Sequence, residues 1–106
     1  MPLKDLLINN RTYRRFDREK PISHSDMEQL VELTRYCASA SNRQLLRYMI
    51  ISETEECAKV YDCLTWAASI PEWPGPDEEE RPTGYIVMLH DTRISKKLFC
   101  DDGIAA

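Results

Sequence analysis

The segment Asn10-Arg11-Thr12-Tyr13-Arg14-Arg15-Phe16 brings guanidinium groups, a hydroxyl and aromatic rings into one short stretch, with Arg18 and Lys20 close behind. The chain as a whole is acidic, with 106 residues and a formal net charge of −4. A cation cluster on an acidic protein suits a particular anion, because arginine's planar fork matches phosphate and carboxylate geometry. Thr12 adds a short neutral donor for the same target. The alternative is a solvated loop whose cations pair with Asp17, Glu19 and Asp26, and the charge pattern by itself favours that alternative. A second stretch of interest, Ala38-Ser39-Ala40-Ser41-Asn42, is small and polar and reads as a close-packed loop or a helix restart.

Other chemistry is thinly represented. Cys37, Cys57, Cys63 and Cys100 form no Cys-x-x-Cys pair and lie far from His24 and His90, which argues against a zinc site. Cys37 falls on an apolar helix face and reads as core, whereas Cys100 beside Asp101 reads as an exposed thiol. His24 precedes a helix and His90 ends a strand, and neither shows a partner in the sequence pattern. No triad or carboxylate pair stands out.

These residues need elements to position them. Leu3, Leu6 and Leu7 predict a short amphipathic helix from about Pro2 to Asn9, closed by Asn9-Asn10. The arginine stretch follows as loop or extended chain, and Pro21 keeps the backbone out of helix. Ser25-Asp26-Met27-Glu28 reads as a capping box. Met27, Leu30, Val31, Thr34, Cys37 and Ala38 then mark one face of a helix ending near Ala38. The apolar run Leu45–Ile51 predicts a strand buried on both faces. Ser52-Glu53-Thr54-Glu55 reads as a second capping box, before a helix whose buried stripe is Cys57, Val60, Tyr61, Leu64 and Ala68. From about Ser69 to Pro82, prolines and the run Asp77–Arg81 predict an exposed, mobile loop. Trp66 and Trp73 near its base raise a lid as the alternative. Gly84–His90 predicts a second strand, and the acidic start of Asp101–Ala106 suits the first turn of another helix.

The length supports at most one domain. With 42% hydrophobic and 30% charged residues, the composition is that of a globular protein. A pI near 5.2 argues against nonspecific nucleic-acid binding. Neither a signal peptide nor a membrane-spanning apolar run is present, so reduced thiols and a cytoplasmic location are expected. Two strands linked by a helix suit an α+β or α/β layer arrangement, and two strands make a poor sheet by themselves. The expectation is one partial domain over residues 1–106, or a chain that completes its core by association.

The order of these features resembles the N-terminal half of the nitroreductase family of flavoproteins. Arg11-Thr12-Tyr13-Arg14-Arg15-Phe16 looks like the family's Arg-Ser-x-Arg-x-Phe stretch after the first helix. Ala38-Ser39-Ala40-Ser41-Asn42-Arg43-Gln44 is similar to its Pro-Ser-x-x-Asn-x-Gln-Pro-Trp segment. Asp102-Gly103-Ile104-Ala105-Ala106 is like the opening of its long central helix. Asn10 stands where many members carry a basic residue, and Leu45-Leu46 replaces the Pro-Trp pair.

The resemblance implies a nitroreductase-like α+β fold, with helices around a small sheet, and an intertwined homodimer with FMN at its interface. It implies hydride transfer from NAD(P)H through the flavin to a nitroaromatic, quinone or similar acceptor. Arg11, Thr12 and Arg14 would contact the FMN phosphate, ribityl chain and pyrimidine edge. Ser39, Ala40, Ser41 and Asn42 would approach the ring from the partner subunit, with Gln44 nearby. The family's C-terminal part supplies more sheet and further flavin contacts. A non-catalytic remnant or interaction module, keeping the family's packing without flavin, is the alternative.

Overall fold

The computed structural model describes residues 2–94 and 96, so the reading of Asp101–Ala106 as a helix start, and Cys100, lie outside the described residues. Three α-helices and two strands are present among them: α1 (Leu3–Asn9), α2 (His24–Leu33), β1 (Leu46–Ile51), α3 (Thr54–Asp62) and β2 (Tyr85–His90). The fold class is α+β. β1 and β2 pair antiparallel from Leu46 opposite His90 to Ile51 opposite Tyr85. The ladder gains one more bond where Asp91 N–H donates to the Leu45 carbonyl at 2.8 Å.

The helix boundaries show which local interactions win. The cap of α2 lies two residues earlier than expected: the Ser23 hydroxyl, not that of Ser25, accepts from Asp26 N–H at 3.0 Å. Glu28 is thereby left to pair with His24 at 3.0 Å. α2 also stops short of Ala38. The Thr34 hydroxyl bonds back to the Val31 carbonyl at 2.6 Å, and the chain tightens into a 3₁₀ turn over Thr34–Tyr36. Cys37 is consequently exposed, not core.

α3 starts at Thr54 after Glu53, which makes no side-chain cap, so the second expected capping box does not form. α3 ends at Asp62 instead of reaching Ala68. Beyond it Ala67 takes a left-handed φ of 42°, and Trp66 packs on Tyr61 with ring centroids 5.8 Å apart.

The core is small. Among the described residues the buried apolar side chains, prolines aside, are Met27 of α2, Leu45 before β1 and Cys57 of α3. α2 packs on β1. The Cys57 thiol lies 3.7 Å from the Ile51 carbonyl and 3.5 Å from that of Thr83, tying α3 to the ends of both strands. Burial raises its pKa, followed by smaller opposing effects of Arg18 and Glu53, so the thiol stays protonated. The strands are half-buried and not covered on both faces: Met49 and Met88 are exposed. α1 ends at Asn9 as its sequence predicts, with Asn10 as its C-cap, but buries none of its residues. Tyr13 is 66% exposed.

The irregular segment between α3 and β2 is not detached from the body. Gly75, Pro76 and Pro82 are buried. Trp66 meets Trp73 edge-on at 6.5 Å, Arg81 stacks over Tyr61 at 3.9 Å, and the Tyr61 hydroxyl donates to the Pro76 carbonyl at 3.2 Å. Cation–π and ring contacts thus replace regular hydrogen bonding.

Candidate functional site

The arginine stretch divides into two groups. Phe16 N–H donates to the Glu80 carbonyl at 2.8 Å, and Arg15 lies 3.9 Å from the Glu80 carboxylate and 5.5 Å over the Trp73 ring. An Arg18 guanidinium nitrogen reaches the Arg81 and Pro82 carbonyls at 3.4 and 3.5 Å. Ile22 N–H donates to the Thr83 hydroxyl at 3.1 Å. Residues 15–22 are therefore strapped to the segment before β2, which gives Arg15 and Arg18 a structural use beyond plain solvation. Arg11, Thr12 and Arg14 lie just outside the strap and are exposed. Arg11 donates to the neighbouring Asn10 carbonyl at 2.8 Å. Arg14 makes no hydrogen bond or ion pair among the described residues. Here, then, are two guanidinium groups and a hydroxyl at the edge of a braced segment, with no carboxylate compensating them among the described residues.

The second stretch folds as a strained turn. Ser41, Asn42 and Gln44 have φ of 52°, 52° and 53°, in the left-handed region that costs non-glycine residues about 1–2 kcal/mol each. Small and amide side chains make this bearable, and they also staple the turn. The Ser39 hydroxyl accepts from Gln44 N–H at 2.9 Å, Asn42 N–H donates to the Ser39 carbonyl at 2.9 Å, and the Gln44 amide donates to Asn42 Oδ1 at 2.8 Å. Ala40 opens the turn. Strain that persists under such local over-determination gathers at functional sites. A cavity of about 330 Å³ lies behind the turn, bounded by Ser39 and Gln44, the end of α2 and the start of β1. Arg11, Thr12 and Arg14 do not line it, so this chain does not bring the two groups into that one cavity.

Comparison with known proteins gives the family. The sequence profile described as the nitroreductase family matches residues 8–99, which takes in both the arginine stretch and the strained turn. The chain belongs to the nitroreductase family. No curated protein matches it. Membership carries a general oxidoreductase function, and nitroreductase-family proteins are in general flavin-dependent.

Two arrangements around the site escape sequence reasoning. His24 does have partners: its Nδ1 is 2.9 Å from the Ser52 hydroxyl, and its Nε2 is 3.0 Å from Glu28. The atom order matches a hydroxyl–imidazole–carboxylate relay. However, the His24 and Glu28 side chains are more than half exposed, which is the setting of a surface tie between α2 and the β1–α3 junction. The other is a clamp on Asp91. Arg93 binds its carboxylate with Nε at 3.1 Å and a terminal nitrogen at 3.0 Å, and Arg47 approaches at 3.4 Å. The signal available in advance was Arg47 itself, a lone cation inside the apolar run of β1, which calls for a counter-charge. Among the described residues no group of histidine, cysteine and acidic side chains is placed to hold a metal, and no helix is long and apolar enough to cross a membrane.

Proposed function

We propose that this nitroreductase-family chain supplies the FMN-holding part of an NAD(P)H-dependent oxidoreductase, and that it works as a homodimer in the cytoplasm. The observation that carries the reading is the stapled left-handed turn, which lies inside the family match on the segment whose resemblance to the family's Pro-Ser-x-x-Asn-x-Gln stretch implies flavin contact. The donor set fits the cofactor. A phosphate monoester carries about two negative charges near pH 7, and Arg11 and Arg14 offer two uncompensated cations. Thr12 adds a hydroxyl for the phosphate or ribityl chain. Ser39, Ser41 and Asn42 bring short side chains on which a flat ring can rest, and Ala40 belongs to the same segment by sequence. Gln44 fixes that surface through Ser39 and Asn42. When bound, FMN supplies the two-electron chemistry between NAD(P)H and a nitroaromatic, quinone or similar acceptor. The protein's part is to bind, orient and shield, so it needs no acid–base pair of its own. With the turn offered to the partner's flavin and the arginines to the chain's own, the two groups need not share a cavity in one chain.

Titration of the full chain with FMN, followed by quenching of flavin fluorescence, tests the reading. Uptake with a flavin absorption band that bleaches on NAD(P)H is the expected result. Arg14→Ala should weaken FMN binding about tenfold or more, the worth of one charge-assisted hydrogen bond. Arg18→Ala should leave FMN affinity nearly unchanged, because Arg18 serves the strap. Equal losses in both variants would remove Arg14 from the site.

A second reading, an interaction module without flavin, is favoured by the exposure of Leu3, Leu6, Leu7 and Ile8 on α1. Colourless protein that takes up no FMN would establish it over the first.

A further inference from the structure

Asp91 sits one residue beyond β2, with its side chain only 6% exposed. It holds the start of β1 in two ways. Its N–H donates to the carbonyl of Leu45, a residue with no exposed surface. Its Oδ2 faces a terminal nitrogen of Arg47 at 3.4 Å. The other terminal nitrogen of Arg47 turns toward the strained turn, reaching the Gln44 carbonyl at 3.4 Å and the Leu46 carbonyl at 3.1 Å. Gln44 in turn holds Ser39 through its N–H and Asn42 through its side-chain amide. One guanidinium therefore bridges a nearly buried carboxylate and the left-handed residue on which the turn is stapled.

We propose that Asp91, acting through Arg47, is a positioning residue that holds the Ser39–Gln44 turn in the conformation it presents to the flavin. This rests on the FMN reading given above. The staples within the turn fix Ser39, Asn42 and Gln44 to one another. Left-handed residues relax unless the surroundings over-determine them. Asp91 ties the turn to the scaffold, by its backbone to Leu45 and by its carboxylate to Arg47. The bridge needs two separate nitrogens in a rigid fork, which lysine lacks. Arg93 also binds the carboxylate, but its side chain is 87% exposed and it makes no hydrogen bond to Gln44 among the described residues.

Three variants of the full chain separate a positioning role from plain support of the sheet: Asp91→Asn, Arg47→Lys and Arg93→Gln. Amide hydrogen exchange read by NMR on the flavin-free protein follows the turn directly, and FMN titration follows its use. In Asp91→Asn and Arg47→Lys the Gln44 and Asn42 amides should exchange about fivefold faster, the equivalent of one net hydrogen bond. FMN should bind more weakly by a similar factor, while the amides of the β1–β2 ladder stay protected. Arg93→Gln should keep Gln44 and Asn42 within about twofold of the parent.

Unchanged exchange at Gln44 and Asn42 in both Asp91→Asn and Arg47→Lys would overturn the proposal. So would equal acceleration in Arg93→Gln, or a loosened turn with full FMN affinity. If Asp91→Asn does not fold, Arg47→Lys, which keeps the charge, carries the same test. Failure of the FMN reading shows separately, as a parent protein that takes up no flavin whatever the exchange pattern.

Discussion

Charge is used in two opposite ways at the residue scale. Arg14 is an uncompensated cation at the surface, available to a ligand, whereas Asp91 is an anion consumed by structure. The hydrogen bonds from Arg93 come first in holding the Asp91 carboxyl down, its pKa lowered from 3.8 to about 2. Between those values the unfolded chain takes up a proton that the folded chain refuses, so the stabilisation present above pH 3.8 is lost as pH falls towards about 2. Thermal unfolding across that interval should show the parent protein losing stability steeply and Asp91→Asn losing it less steeply. Parallel curves would mean that Asp91 is not ionised preferentially in the folded state. Arg11, Thr12 and Arg14, the residues proposed for the flavin, rest on residue type and on the family resemblance, because anion-matching groups are written in residue type whereas the charge pattern alone favours a solvated loop. The Asp91 clamp was not legible in the sequence, since its partner Arg47 lies on the other strand and only pairing brings them together.

The same distinction governs the elements. Helices α1, α2 and α3 and both strands follow from apolar periodicity, but their ends are decided by competition the pattern does not rank. Ser23 outcompetes Ser25 for the cap, and Thr34 bends the end of α2 back on itself. The segment between α3 and β2 was legible as irregular from its prolines. Its packing was not, because stacking of Arg81 on Tyr61 and of Arg15 on Trp73 joins residues distant in sequence.

Two substitutions test that packing. Gly75 has φ of 106°, and a Cβ there would stand 2.8 Å from Trp66 Cδ1 and 3.0 Å from the Tyr61 hydroxyl. Gly75→Ala should cost about 2 kcal/mol or more in chemical denaturation, and a cost near zero would show that the segment is not packed as described. The Tyr85 hydroxyl is buried with no hydrogen-bond partner among the described residues, and burial is the first cause of its raised pKa. Tyr85→Phe should therefore be neutral or stabilising by up to about 1 kcal/mol, in contrast to removal of a satisfied hydroxyl.

The surface of the whole molecule exceeds what one compact domain of this mass exposes. Its accessible area is 8620 Å², against about 6,100 Å² from the usual scaling of area with mass. Its Cα radius of gyration is 15.7 Å, against about 13 Å for a compact chain of similar length. The excess is apolar in part: Leu3 is 70% and Leu7 63% exposed on α1, Leu33 58% at the end of α2. Removed from each of two chains, an excess of about 2,500 Å² amounts to about 5,000 Å² in total, at the upper end of what obligate dimer interfaces bury, and exposed apolar helix faces are what such interfaces cover. The expected state in solution is accordingly a dimer formed with α1 in its interface. Sedimentation velocity at micromolar concentration should give the mass of two chains, and Leu7→Glu, which sets a charge in the middle of that face, should shift the population towards one. The flavin titration then joins the two scales: if the turn of one chain serves the flavin of the other, Leu7→Glu should lose FMN in step with the dimer. A folded monomer that binds FMN as tightly as the parent protein would separate the cofactor from the interface and overturn the shared site.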